Sequence, residues 1–381
     1  MGKMIRAAVI GTGFSAMAHL ETLKRLPGVE AAAIVSRSFE KAEEIAAEYR
    51  LAFAYDSIDE LLHNPEIDVV HNCTPNVLHY ELNKKILLAG KHVLSEKPLA
   101  LNSEESEELL ELARSKNLVH GVCFNYRHYP MIEEARVKVS SHSYGKPHLI
   151  GGGYLQDWCL YDTDYSWRMD PDLNGRSRAV ADIGSHWCDT VQHVLGQRIV
   201  RVCADLSIVH PMRKKPLEGD SSTFSNEETD RYEEVQIHSE DAGNVLVQFE
   251  DGSKGMFSVS QVTAGKKNHL HFTISLSDGT LEWDQENPNQ LWIGKRSEAN
   301  QLLMKDPGLL TDSARTYAHY PGGHQEGWPD CLKNLMISFY DSVRDSGMGK
   351  QDFATFEDGH YNMKIVDAIL RSSGEERWVE V

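Results

Sequence analysis

The sequence predicts an α/β protein: an N-terminal, doubly wound parallel sheet of the Rossmann type, then a C-terminal α+β domain built on a largely antiparallel open sheet. Three observations carry this. A strand-like run at residues 5–10 leads directly into Gly11-Thr12-Gly13-Phe14-Ser15-Ala16. Strand-length and helix-length apolar segments then alternate to about residue 125, the pattern of a parallel sheet with crossover helices. Beyond that point alternating segments come in pairs joined through Asp-Gly, the mark of antiparallel hairpins. The expected division is therefore 1–125 for dinucleotide binding and 126–381 for substrate binding and oligomerisation.

Length and composition agree. A chain of 381 residues suits about two domains. Hydrophobic residues at 41% and charged residues at 25% are ordinary for a globular chain. With 57 acidic against 39 basic residues the formal net charge is -18, which disfavours nucleic acid and anionic membrane surfaces as partners. The six cysteines form no C-x-x-C pair, so free thiols in a reducing compartment are expected. No apolar stretch is long enough to span a membrane and no cleavable leader is evident; a cytoplasmic protein is expected.

In chain order, Ile5 to Ile10 is a buried strand and Met17 to Leu26 a helix. Between them Gly11 permits a tight turn, Gly13 lets a pyrophosphate approach the backbone, and Ala16 lets helix and strand pack closely. The helix N-terminus favours the phosphates' negative charge. Strand Ala31 to Val35 ends in Ser36-Arg37-Ser38, where an acid would bind the ribose hydroxyl of NAD. No acid stands there, so Ser36 and Arg37 shift the expectation slightly from NAD to NADP. Helix Phe39 to Tyr49, helix Ile58 to His63, strand Asp68 to Asn72 and helix Leu78 to Ala89 follow, with Gly90 as a cap. Strand His92 to Ser95, helix Ser103 to Ser115 and strand Val119 to Cys123 complete the alternation.

The turn Thr74-Pro75-Asn76 and the segment Glu96-Lys97-Pro98 both fall at strand carboxyl ends, where open parallel sheets bind ligands. Pro98 ends the strand and stiffens the backbone that carries Lys97. By itself Lys97 reads equally as a solvated turn residue.

In the second half, helix Met131 to Val139 precedes a strand from Pro147 to Trp158, on which Gln156 and Trp158 share a face. Hairpins are expected at Asn244–Phe249 with Gly255–Gln261, and across Leu270 to Trp283. The polar segment Glu218 to Arg231 reads as a mobile loop. Asp182 and His186 are four apart, so a helix would put carboxylate and imidazole on one face. Such a pair can support general acid/base work, although in isolation it is more often a surface or capping contact. His186 and His193 lie two helical turns apart, and H-E-x-x-H is absent. No metal is expected.

Taken together, Gly11 to Ala16, Thr74-Pro75-Asn76 with His79, Glu96-Lys97-Pro98, Asn125-Tyr126-Arg127, Trp167-Arg168, and Asp182 with His186 give the chain a resemblance to the Gfo/Idh/MocA family of NAD(P)-dependent sugar and inositol oxidoreductases. The resemblance implies that Lys97, Asp182 and His186 act on a substrate hydroxyl beside the nicotinamide. In oxidation His186 takes the proton, Lys97 stabilises the developing negative charge, and Asp182 orients His186. The cofactor is expected to meet Gly11, Thr12, Gly13, Phe14, Ser15, Ala16, Ser36, Arg37, Thr74, Pro75, Asn76, His79, Glu96 and Lys97. Tyr126, Gln156, Trp158 and Arg168 are expected against the substrate. His324, in the turn Tyr320 to Trp328 that resembles members acting on pyranosides, either joins them or is satisfied by nearby backbone.

The expected activity is hydride transfer between NAD(P) and a secondary alcohol of a sugar, pyranoside or inositol-like polyol, by a homodimer or homotetramer. A redox-neutral NAD-dependent glycosidase and a non-catalytic dinucleotide sensor are the alternatives.

Overall fold

The computed structural model describes residues 3–217, 231–345, 347 and 351–381. The chain divides into two units, Met1–Asn125 with Leu332–Met363, and Tyr126–Cys331 with Lys364–Val381.

The first unit is a six-stranded parallel sheet built from β1 (Ile5–Ile10), β2 (Val29–Val35), β3 (Phe53–Tyr55), β4 (Val69–Asn72), β5 (His92–Ser95) and β6 (His120–Val122). Their order across the sheet is β3-β2-β1-β4-β5-β6, and the order reverses beside β1. That reversal is the switch point where such sheets bind ligands. Helix α1 (Phe14–Leu23) begins immediately after Gly13, three residues earlier than the apolar periodicity indicates. The exposed Phe14 at its start contributes no apolar stripe, so periodicity alone misses the first turn. β3 was also missed, because three half-buried residues are too few to show an alternation. α2 (Phe39–Tyr49), α3 (Ile58–His63), α4 (His79–Leu88) and α5 (Ser103–Lys116) match the expected helices within about two residues.

The core of this unit packs Ala8, Val35, Val70, Val93 and Val122 of the strands against Leu61, Ile86, Leu109 and Ala113 of the helices. Ala354 and Phe356 return from the end of the chain into that core.

The second unit carries a nine-stranded mixed sheet with a mostly antiparallel ladder. Its central strand β7 (Pro147–Leu155) pairs parallel with β12 (Lys254–Ser260) and antiparallel with β13 (His269–Leu276). β11 (Ala242–Phe249) with β12, and β13 with β14 (Gly279–Asp284), form the two expected hairpins. β7 stops at Leu155, so Gln156 and Trp158 lie in the segment that follows rather than on the strand. The expected loop at 218–231 falls, apart from Arg231, outside the described residues.

On the inner face of this sheet lies α8 (Ser185–Leu195). Its Trp187 stacks on Phe257 with ring centres 4.4 Å apart and donates to the carbonyl of His271 at 3.1 Å. Gly152, at φ +156°, makes that docking possible: a Cβ there would sit 2.6 Å from the indole nitrogen and 2.3 Å from the His271 oxygen. All six cysteines are free thiols. Among the described residues no helix is long and apolar enough to cross a membrane.

Candidate active site

Within the first unit, the residues expected to meet a dinucleotide lie at the carboxyl ends of β1, β2, β4 and β5. Gly11 adopts φ +111°, and a Cβ on it would lie 2.5 Å from the carbonyl oxygen of Cys73. Only glycine lets the β1 loop pass the β4 turn so closely. Gly13 caps α1 with no side-chain hydrogen bond, and nothing lies within 4 Å of where its Cβ would be. A helix N-terminus whose cap residue has no side chain, beside open space, suits a pyrophosphate. These residues therefore fit the dinucleotide that the glycine motif implies.

Thr74, Pro75 and Asn76 form the turn after β4, where Thr74 Oγ1 donates to Asn72 Oδ1 at 2.7 Å. Asn72 continues through Asn83 to Ser95 Oγ by bonds of 2.9 Å each, so two strand ends are tied by side chains. His79 is fully buried, with one ring nitrogen 2.6 Å from the Pro98 carbonyl and the other 2.8 Å from that of Thr74. It thereby links the Thr74 turn to the segment carrying Lys97. Burial pushes its pKa down against the upward pull of both carbonyls.

Lys97 lies just beyond β5, half-buried, and the peptide to Pro98 is cis. Behind it runs a buried chain of polar contacts. Tyr340 OH faces His71 Nε2 at 2.8 Å, His71 Nδ1 faces His19 Nδ1 at 2.9 Å, and His19 Nε2 faces Glu96 Oε1 at 3.2 Å. Burial, and then the His19 neighbour, hold the pKa of His71 well below its ordinary value. Ser36, half-buried, and the exposed Arg37 follow β2, and Ser38 caps α2 by accepting from Lys41 N at 3.3 Å.

Within the second unit, Asp182 sits in a five-residue π turn, Val180–Gly184, that runs straight into α8. A plain helix was the expectation; the widened turn is a feature that recurs at functional sites. Glu240 anchors its start, accepting at Oε1 from Ser177 Oγ, Arg178 N and Val180 N at 2.7, 3.0 and 2.9 Å. Arg178 and Arg213, both wholly buried, share the carboxylate of Asp241. Asp182 Oδ2 accepts from Gln261 Nε2 at 3.0 Å and lies 3.6 Å from Arg168 Nε.

One turn along, His186 is buried against the ring of Tyr126, with centroids 4.8 Å apart and planes at 79°. Asp189 of the same helix holds Arg127 in a bidentate pair at 2.5 and 2.7 Å. Tyr126 OH lies 2.7 Å from Tyr154 OH, Asn268 Nδ2 donates to Tyr126 at 3.0 Å, and Gln156 Nε2 donates to Asn268 Oδ1 at 3.1 Å. Trp158 Nε1 donates to Gln156 Oε1 at 2.9 Å.

Thus Tyr126, Gln156 and Trp158 form one polar cluster, while Arg168, Asp182 and His186 stand around the π turn. His324 is different: it is exposed, 3.4 Å from the Gly322 carbonyl, and its own carbonyl accepts from Lys305 Nζ at 2.8 Å. Tyr154, Glu240, Asp241, Gln261 and Asn268 were not singled out from the sequence. Their partners lie far along the chain, and no local spacing signals such contacts. Two groupings among the described residues bring possible metal-ligand atoms together, His19 with Glu96 and Cys123, and His269 with Asp284 and Glu286. Neither includes Asp182 or His186.

A parallel sheet with a glycine-loop dinucleotide cradle, followed by a domain built on a mostly antiparallel sheet, defines a two-domain nucleotide-dependent oxidoreductase. The chain belongs to the Gfo/Idh/MocA family: residues 5–124 match its "Oxidoreductase family, NAD-binding Rossmann fold" model and residues 132–282 its "GFO/IDH/MocA C-terminal domain". Levoglucosan dehydrogenase of Pseudarthrobacter phenanthrenivorans is 28% identical, with 99% of this chain and 98% of that protein aligned. The scyllo-inositol 2-dehydrogenase (NADP(+)) IolU of Bacillus subtilis is 32% identical over 48% of this chain and 55% of its own. Among solved structures, levoglucosan dehydrogenase in complex with NADH and L-sorbose superposes with a TM-score of 0.90 at 25% identity, covering 100% of this chain and 99% of that one.

Proposed function

We propose that the protein transfers a hydride between the nicotinamide of NAD(P) and a secondary alcohol carbon of a pyranose, pyranoside or inositol-like polyol. The observation that carries this reading is the π turn: it places Asp182, held by Gln261, one turn from His186. End-to-end similarity to levoglucosan dehydrogenase supports the substrate class. The dinucleotide supplies the hydride acceptor.

The chain's own residues supply placement and proton handling. His186 takes the hydroxyl proton as the carbon gives up its hydride, and Asp182 supports the charge the imidazole gains. Lys97 donates a charge-assisted hydrogen bond to the same oxygen, strongest as alkoxide character develops. Trp158 offers an aromatic face to the C–H side of a sugar ring, and Gln156 and Arg168 offer donors to its hydroxyls. For the coenzyme, Ser36 and Arg37 after β2, where an acid would select NAD, favour NADP. Spectrophotometric reduction of NAD and NADP with levoglucosan, D-glucose, D-xylose, myo-inositol and scyllo-inositol tests the reading. Turnover on at least one is expected, and coenzyme binding without turnover on any contradicts it.

A second copy of the chain covers the outer face of the nine-stranded sheet in this reading. The strand register aligns Leu246, Met256, Gly151, Thr273, Glu282, Trp292 and Leu302 in one row across that face. Leu149, Leu246, Met256 and Leu302 are 47–55% exposed on it. Nine strands about 4.8 Å apart span roughly 38 Å, enough for the ~800 Å² per partner of a stable interface. Sedimentation should show a dimer or tetramer that Met256→Lys weakens. A monomer at all concentrations contradicts this assembly.

A further inference from the structure

The hydroxyls around His186 form a closed ring whose direction is fixed from outside. Indole nitrogen only donates, so Trp158 requires the oxygen of Gln156 to face it at 2.9 Å. The Gln156 amide nitrogen then faces Asn268, whose oxygen receives it at 3.1 Å and also receives the Tyr154 hydroxyl. Asn268 consequently turns its Nδ2 to the oxygen of Tyr126 at 3.0 Å. With the Tyr154 proton given to Asn268, the 2.7 Å contact between the two phenols is a donation from Tyr126 to Tyr154. The cycle runs Tyr126 to Tyr154 to Asn268 and back to Tyr126, every bond in one sense, an arrangement in which each bond polarises the next.

Two consequences follow for Tyr126. Its single proton is committed inside the ring, and the residue is only 2% exposed, which leaves little of it to meet a ligand. Its ring, however, meets that of His186 in a T-shaped contact with centroids 4.8 Å apart, and Tyr154 is tilted against the same imidazole with centroids 6.2 Å apart. Burial raises the pKa of both phenols, so the ring of bonds persists across the working pH range.

We propose that Asn268, through the closed ring it completes with Tyr126 and Tyr154, is a positioning residue for His186, and that Tyr126 acts in the same way rather than as a substrate ligand. The inference rests on the assignment of His186 as the base in the proposed function. Cutting the ring frees the Tyr126 ring to tilt, and the imidazole loses the wall that fixes its angle to the reacting hydroxyl.

The test is a double-mutant cycle on the full chain, with steady-state kinetics on whichever substrate of the panel above gives the highest kcat/KM. Tyr126→Phe and Asn268→Leu should each lower kcat about tenfold with sugar KM unchanged within about twofold, the signature of lost transition-state geometry. The double variant should be no worse than either single, because both cut one ring. A raised KM at unchanged kcat in Tyr126→Phe would make that residue a substrate ligand. Additive losses would make the two residues independent. Either outcome, or kinetics like those of the parent protein, overturns the proposal. Should Asn268→Leu fail to fold, Tyr154→Phe takes its place in the cycle, since it cuts the same ring and keeps the packing. His186→Asn is measured alongside. If it retains turnover, the assignment of the base falls; if it is inactive, the ring variants alone decide this inference.

Discussion

Gln261, wholly buried after the last residue of β12, donates from its side-chain nitrogen to Oδ2 of Asp182 at 3.0 Å. Its backbone is held on both sides, by the carbonyl of Asp241 and by the N–H of Cys159, each at 3.0 Å. A neutral donor so fixed orients the carboxylate without neutralising it.

Replacing that donor with a side chain of similar volume should therefore damage turnover more than binding. Gln261→Met is expected to lower kcat by about tenfold and to leave coenzyme affinity unchanged, as for loss of an orienting contact. Stopped-flow turnover and NADPH fluorescence titration would show this. Unchanged kcat would remove Gln261 from the account of Asp182.

The proposed preference for NADP rests on the end of β2. Arg37 is exposed there and Ser36 is half-buried. Arg37→Ala should weaken NADP binding by roughly tenfold and NAD binding much less, because guanidinium is suited to the 2′-phosphate. Calorimetric titration of both coenzymes decides it; equal losses would remove the 2′-phosphate assignment.

Acid should destabilise the first unit in a defined window. His120 Nδ1 accepts the N–H of Phe356 at 3.1 Å, which needs an unprotonated nitrogen, and burial pushes its pKa down to about 4 from the ordinary 6.5. Between these values the unfolded chain binds more protons than the folded one, so stability rises with pH across the window and is lost as pH falls through it. His120 alone accounts for roughly 2 kcal/mol between about pH 8 and pH 5. Urea unfolding of His120→Gln should show a smaller loss over that interval than the parent protein. Equal losses would contradict the assignment.

Much of this was legible beforehand, and the reasons are local. Gly11 and Gly13 announce their turn because the strand before and the helix after are written in adjacent residues. Phe39 to Tyr49 reads as a helix from its periodicity, and Ser38 caps it as its side chain suggests. The pairing of Asn268 with Tyr126 across 142 positions, of Glu240 with the start of the π turn, and of Gln261 with Asp182 leaves no such trace. These contacts arise when sheet and helix pack, and a one-dimensional pattern holds no record of them. The π turn itself was invisible because Asp182 and His186 keep the same spacing in sequence whether the turn is widened or not.

The central claim is that a sugar hydroxyl is oxidised with help from the amine at the end of β5, and Lys97→Ala tests it most directly. If Lys97 stabilises the oxygen as it loses its proton, kcat/KM for the best sugar falls roughly 100-fold or more, as on removal of one preorganised donor. NAD(P)H affinity changes little, and Lys97→Arg restores only part of the activity, since a planar fork does not replace a compact ammonium. Near-parental kcat/KM in both variants would contradict the account and take the active site away from the strand end that carries Lys97.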